Sequence, residues 1–78
     1  MQVHVELFSR FRKHLPPDTG GKATVQLPQD ATVADLLSHL GITGRVQLIS
    51  VNAQRETSHA RILQDGDRVR ILPFAVGG

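Results

Sequence analysis

Seventy-eight residues make one small domain near the lower size limit for independent folding, where only about 60% of the unfolded surface becomes buried. Apolar residues are 40% of the chain, with no Tyr, Trp or Cys, so disulfide staples and thiolate chemistry are excluded and an aliphatic core must carry stability. A net charge of +2, one basic cluster at Arg10, Arg12 and Lys13, and only three Phe rings disfavour a nucleic-acid surface.

No apolar run approaches the length of a membrane span and nothing indicates secretion, so a soluble cytoplasmic protein is expected. Residues 2–8 alternate, with Val3, Val5 and Leu7 on one face and His4, Glu6 and Phe8 on the other, which predicts a half-buried strand. The basic cluster that follows reads as a solvated strand end or a partner-facing patch. Pro16-Pro17-Asp18-Thr19-Gly20-Gly21 forces a connection, and Ala23–Leu27 predicts a second strand that closes a hairpin with a long loop. Thr32 and Asp35 have the spacing of a reciprocal helix cap, and Val33, Leu36, Leu37 and Leu40 form one apolar stripe. Gly41 supplies a left-handed stop. A helix this short is marginal alone and has to dock on a sheet.

A third strand is predicted over Val46–Val51, ending at Asn52; the polar residues 53–60 form a loop or a weak edge strand. Asp65-Gly66-Asp67 marks a turn. The last strand, Arg68–Leu72, turns Val69 and Ile71 inward and Arg68, Arg70 and Leu72 outward, and Pro73, without an amide donor, ends the pairing. The order β-β-α-β-(β)-β gives an α+β protein. One helix covers one face of a mixed sheet of four to five strands, with the first and last strands adjacent in the centre. That is the β-grasp, or ubiquitin-like, architecture, assigned to residues 1–73, with 74–78 as a flexible tail ending in Gly-Gly. The outer sheet face then carries Phe8 and Leu72 beside Arg68 and Arg70.

Self-contained catalysis finds no support. Gly20-Gly21-Lys22-Ala23 lacks the Ser/Thr and the first glycine of a phosphate loop. His4, His14, His39 and His59 are scattered without metal-ligand spacing. The serines have no nucleophile elbow, and the Asp65/Asp67 pair belongs to its turn. What remains is the tail. Fully extended, residues 74–78 reach about 17–18 Å, enough to enter a buried site on another protein while the body stays outside.

Leu63-x-Asp65-Gly66-Asp67-x-Val69, then Pro73 and Gly77-Gly78, resembles the ubiquitin-like sulfur carriers, among them the small subunit of molybdopterin synthase and the sulfur carrier of thiamine thiazole synthesis. The likeness spans essentially the whole chain. It implies that a ubiquitin-activating-type adenylyltransferase uses ATP to adenylate the Gly78 carboxylate, which a sulfur donor protein then converts to a thiocarboxylate. Gly77 would give clearance in the partner's channel. Phe8, Arg70, Leu72, Pro73, Phe74 and Val76 would meet the partner, a larger catalytic subunit or another sulfur-acceptor enzyme. The chain itself would bind no cofactor and act as a protein cosubstrate.

The Leu-Pro stretch ahead of the terminal glycines favours the molybdopterin branch. Pro73-Phe74 stands where that branch usually has Pro-Pro, and Ala53 where glycine often follows Val-Asn. The alternatives are a carrier for thiamine or another pathway and a modifier conjugated to lysines, with Lys13 and Lys22 as self-attachment positions. A β-grasp RNA-binding module using Arg10, Arg12, Arg68 and Arg70 is the remaining one.

Overall fold

The structure, a computed structural model, describes residues 1–43 and 47–73. Five strands, β1 (Gln2–Leu7), β2 (Lys22–Gln26), β3 (Gln47–Val51), β4 (Gln54–Glu56) and β5 (Arg68–Pro73), and one α-helix, α1 (Val33–Leu40), follow in the chain order β1-β2-α1-β3-β4-β5. The sheet order is β2-β1-β5-β3-β4. β1 and β5 run parallel at its centre, pairing His4 with Arg68 and Leu7 with Ile71, while the other neighbours are antiparallel. This is the expected β-grasp arrangement, with 53–60 contributing a short edge strand. Val46 and the tail residues 74–78 lie outside the described residues.

α1 forms for the reasons its sequence predicts. Thr32 Oγ1 accepts from the Asp35 amide (3.2 Å) and Asp35 Oδ2 accepts from the Thr32 amide (2.8 Å), a closed capping box. Gly41 ends it in the left-handed region at φ 74°. Its stripe of Val33, Leu36, Leu37 and Leu40 is buried with the inner-face residues Val3, Val5, Leu7, Val25, Ile49, Val51, Val69 and Ile71. Ala31, Ile42 and Leu63, from connecting segments, complete the same core. No helix among the described residues is long and apolar enough to cross a membrane.

Between β1 and β2 the chain departs from the expected solvated strand end. Ser9 adopts φ 51° and turns Ser9–His14 into a 3₁₀ helix, which carries Phe11 into the core at 5% exposure. A second 3₁₀ turn, Pro17–Thr19, follows. Gly21 then re-enters the sheet so closely that its carbonyl accepts from the Leu7 amide at 2.6 Å. A Cβ on Gly21 would stand 2.5 Å from the Leu7 carbonyl oxygen, so the second glycine of the pair is a steric requirement of the hairpin.

Candidate partner-binding face

Because side chains alternate across a strand, the residues between the core positions form the outer face of the sheet. β1 presents His4 and Glu6 there, and β5 presents Arg68, Arg70 and Leu72. Phe8 continues β1 by one extended residue, its amide donating to the Ile71 carbonyl (3.1 Å), and so shares the face. β3 adds Leu48, directly opposite Leu72 in the register. Phe8, Leu72 and Leu48 thus form a row across three strands, each half-buried, at the end where β5 runs into Pro73.

Leu48 is absent from the residues singled out by sequence. Its signal was the alternation of Leu48 and Ser50 against Ile49 and Val51, but its importance depends on β3 pairing with β5. The structure gathers Phe8 and Leu72 at one end of the face, with Arg70 one outward position back from Leu72 and Pro73, next along β5, on the inward parity of Val69 and Ile71. Phe74, Val76, Gly77 and Gly78 are outside the described residues.

Toward the other end the face becomes polar. Arg70 Nε lies 3.4 Å from Glu6 Oε1, a partly exposed pair worth little stability by itself. His4, Lys22, Thr24, Arg68 and Arg70 line a shallow depression of about 470 Å³ with Glu6 as its one acid. His4 Nδ1 and Thr24 Oγ1 are 3.4 Å apart across the β1–β2 pair. The three exposed cations Lys22, Arg68 and Arg70 leave this part of the face positive.

The Asp65-Gly66-Asp67 turn holds the frame of the face. Asp67 is 7% exposed; Oδ1 accepts from Asn52 Nδ2 (2.9 Å) and Oδ2 from the Gln64 amide (2.8 Å). Asn52 Oδ1 in turn accepts from the Arg68 amide (2.9 Å). Asp65 Oδ1 takes the Gln2 amide (2.7 Å), and the Asp67 carbonyl takes the His4 amide (2.8 Å). These carboxylates are therefore structural. They bind the starts of β1 and β5 together and so set where β5 delivers Pro73.

Elsewhere the Ser58 amide, then the Arg61 guanidinium at 2.9 Å, holds the Glu56 carboxyl below its ordinary value. Among the described residues no three His, Asp or Glu side chains stand close enough to share a metal ion. The geometry offers a partly apolar outer face and a last strand held in place by the Asp65–Asp67 turn.

Comparison with known proteins bears on the family and the fold. The model of the ThiS family matches residues 5–78. No curated protein matches the chain. Among solved structures, a putative molybdopterin converting factor, subunit 1, from Pyrococcus furiosus is 26% identical over 96% of this chain and 99% of its own, with a TM-score of 0.75. The Amycolatopsis orientalis BexX/CysO complex contains a chain 26% identical over 97% of this one and 99% of its own, TM-score 0.61. SAMP1 from Haloferax volcanii, 18% identical with full coverage of both chains and a TM-score of 0.76, shares the fold.

Proposed function

The chain belongs to the ThiS family of ubiquitin-like sulfur carriers, and from that premise we propose that it carries sulfur as a thiocarboxylate on Gly78, for molybdopterin biosynthesis. The observation that carries the reading is the parallel pairing of β1 with β5, which sets the half-buried row Phe8, Leu72 and Leu48 beside Pro73, where residues 74–78 begin. A partner seated on that row receives the tail. The match of the family model through residue 78 and the likeness to the Pyrococcus furiosus protein support the carrier role and its branch.

A free carboxylate is a poor electrophile because its oxygen leaves badly. In the proposed sequence, a Gly78 carboxylate oxygen attacks the α-phosphorus of ATP on a separate adenylyltransferase and pyrophosphate departs. Sulfide then attacks the carbonyl carbon of the adenylate, AMP departs, and loss of the sulfur-bound proton leaves the thiocarboxylate. Gly77 and Gly78, lacking Cβ atoms, admit the backbone angles and close approach that a narrow channel demands. The small domain contributes recognition and reach, and a larger acceptor enzyme, of which it is the non-catalytic partner, supplies the chemistry. The Amycolatopsis orientalis complex supports association with such a partner.

Intact-mass measurement after incubation with an activating enzyme, ATP and sulfide tests the reading. The expected product has one oxygen replaced by sulfur, and a chain lacking Gly78 does not form it. Lysine-linked adducts in place of that product would identify a modifier. Identical behaviour of the full and shortened chains would refute both.

A further inference from the structure

We infer that Arg10 and Lys13, flanking the root of the tail, form a second docking surface made to meet an acidic protein rim around the channel that receives the tail. This rests on the carrier reading and adds the chemistry of the partner's surface. The parallel β1–β5 pair sends two chain segments out of the same end of the sheet. From β1 emerges the 3₁₀ helix Ser9–His14; from β5 emerges the tail. The bond from the Phe8 amide to the Ile71 carbonyl fixes the two exits side by side.

The C-terminal end of α1 arrives there as well. Arg10, Phe11, Lys13, His14 and Thr43 line a hollow of about 180 Å³, and a Cβ placed on Gly41 would lie 3.8 Å from His14 Nδ1. Arg10 and Lys13 are exposed, and no acidic residue occurs anywhere from Leu7 to Pro17. The ion pairs among the described residues are Glu56–Arg61 and Glu6–Arg70, neither involving this segment. Arg10 is also held over the Phe11 ring, 5.2 Å from its centroid, which limits its freedom before any partner arrives.

A surface cation cluster is ordinarily just solvated. Here three acids stand toward the opposite end, and Asp18, exposed in the Pro17–Thr19 turn, is the one acid of the β1–β2 connection. Asp65 and Asp67 are bonded to the first residues of β1, and Asp35 caps the start of α1. The six residues of β1 separate those acids from the basic flank by about 20 Å. The flank is thus a local positive patch where β5 ends, beside the second group of cations, Lys22, Arg68 and Arg70, on the outer face. An acidic rim attracts that patch, so encounter favours orientations that bring the end of β5 toward it. Nucleic acid is the poorer occupant because Phe11, the flank's one aromatic ring, is buried and offers no stacking surface.

The test uses the adenylyltransferase of the source organism, with kcat/KM for adenylation of the chain measured from low salt to about 0.5 M salt. Arg10→Gln/Lys13→Gln removes two charges at the flank. Gln29→Glu/Gln64→Glu makes the same net change at exposed positions toward the other end. The flank variant is expected to lose about tenfold in kcat/KM at low salt, a loss that disappears at high salt, while the distal variant stays within about twofold of wild type. Denaturant midpoints confirm folding, and the single change Lys13→Glu gives an independent measurement should the double variant be unstable. Equal effects from the two double variants, or a salt-independent rate, would overturn the inference while leaving the carrier reading intact. So would a flank variant that loses binding to a single-stranded RNA oligonucleotide but is adenylated normally. If wild type is not adenylated at all, the carrier reading fails first and the inference with it.

Discussion

Ala53 should be replaceable by glycine with a gain in stability. β3 and β4 are joined by the two residues Asn52 and Ala53, since Val51 pairs with Gln54. Both adopt positive φ, 54° and 70°, the combination of a type I′ hairpin turn. Asn tolerates this region because its short side chain bonds locally, and here Asn52 is also held by Asp67 and the Arg68 amide. Ala53 is exposed and carries the left-handed conformation without an amide side chain. An L-residue there costs about 1–2 kcal/mol, against which glycine loses about 0.5–1 kcal/mol through the greater freedom of its unfolded chain. Ala53→Gly is therefore expected to gain about 0.5–1 kcal/mol, a rise in Tm of about 3–6 °C for a domain this size. Urea unfolding followed by far-UV circular dichroism measures it, with the slope unchanged so that only the midpoint moves. A midpoint equal to or below wild type would refute the reasoning and show that the turn relaxes its strain elsewhere.

Other expectations follow the same frame. Asp67→Ala leaves the Gln64 amide and the Asn52 amide group without their acceptor and should cost about 2–4 kcal/mol in urea unfolding; a loss under about 0.5 kcal/mol would mean that Asp67 is not the clamp described. Leu48→Glu and Leu72→Glu, at half-buried positions of the outer row, should each weaken partner binding at least about tenfold in calorimetric titration, with Tm lowered only a few degrees. Undiminished affinity would take the row out of the interface. The Glu56 carboxyl is depressed on folding, so its contribution is present above its ordinary value of 4.5 and fades as pH falls through the lower folded value. Melting curves of wild type and Glu56→Gln should accordingly separate at neutral pH and converge in acid; a constant separation would contradict the assignment.

Much of the fold was legible because local and tertiary requirements agreed. The Thr32–Asp35 box, the Val33–Leu40 stripe and Gly41 each state the same helix, and the alternation of Val3, Val5 and Leu7 placed Phe8 on the outer face before any pairing was known. Phe11 was not legible, because a 3₁₀ turn launched by Ser9 at positive φ has no periodic signature. Ile42 and Leu63 lie in connecting segments, buried only because neighbouring elements close over them. Leu48 joined the candidate face through its register with Leu72, a relation between strands that no single segment contains. Arg10 and Lys13 were visible as a cluster, but their place beside the tail root depends on the parallel direction of β1 and β5.

That central pair joins residues near opposite ends of the chain, His4 with Arg68. Contacts of such long sequence separation form late and only when the intervening chain is available. During synthesis, β1 has no central neighbour until β5 has emerged, and Phe8 and Leu72 cannot stand in one row before then. Under the proposed docking role, that row is consequently a certificate of completion, because only a molecule already folded through Pro73 presents it.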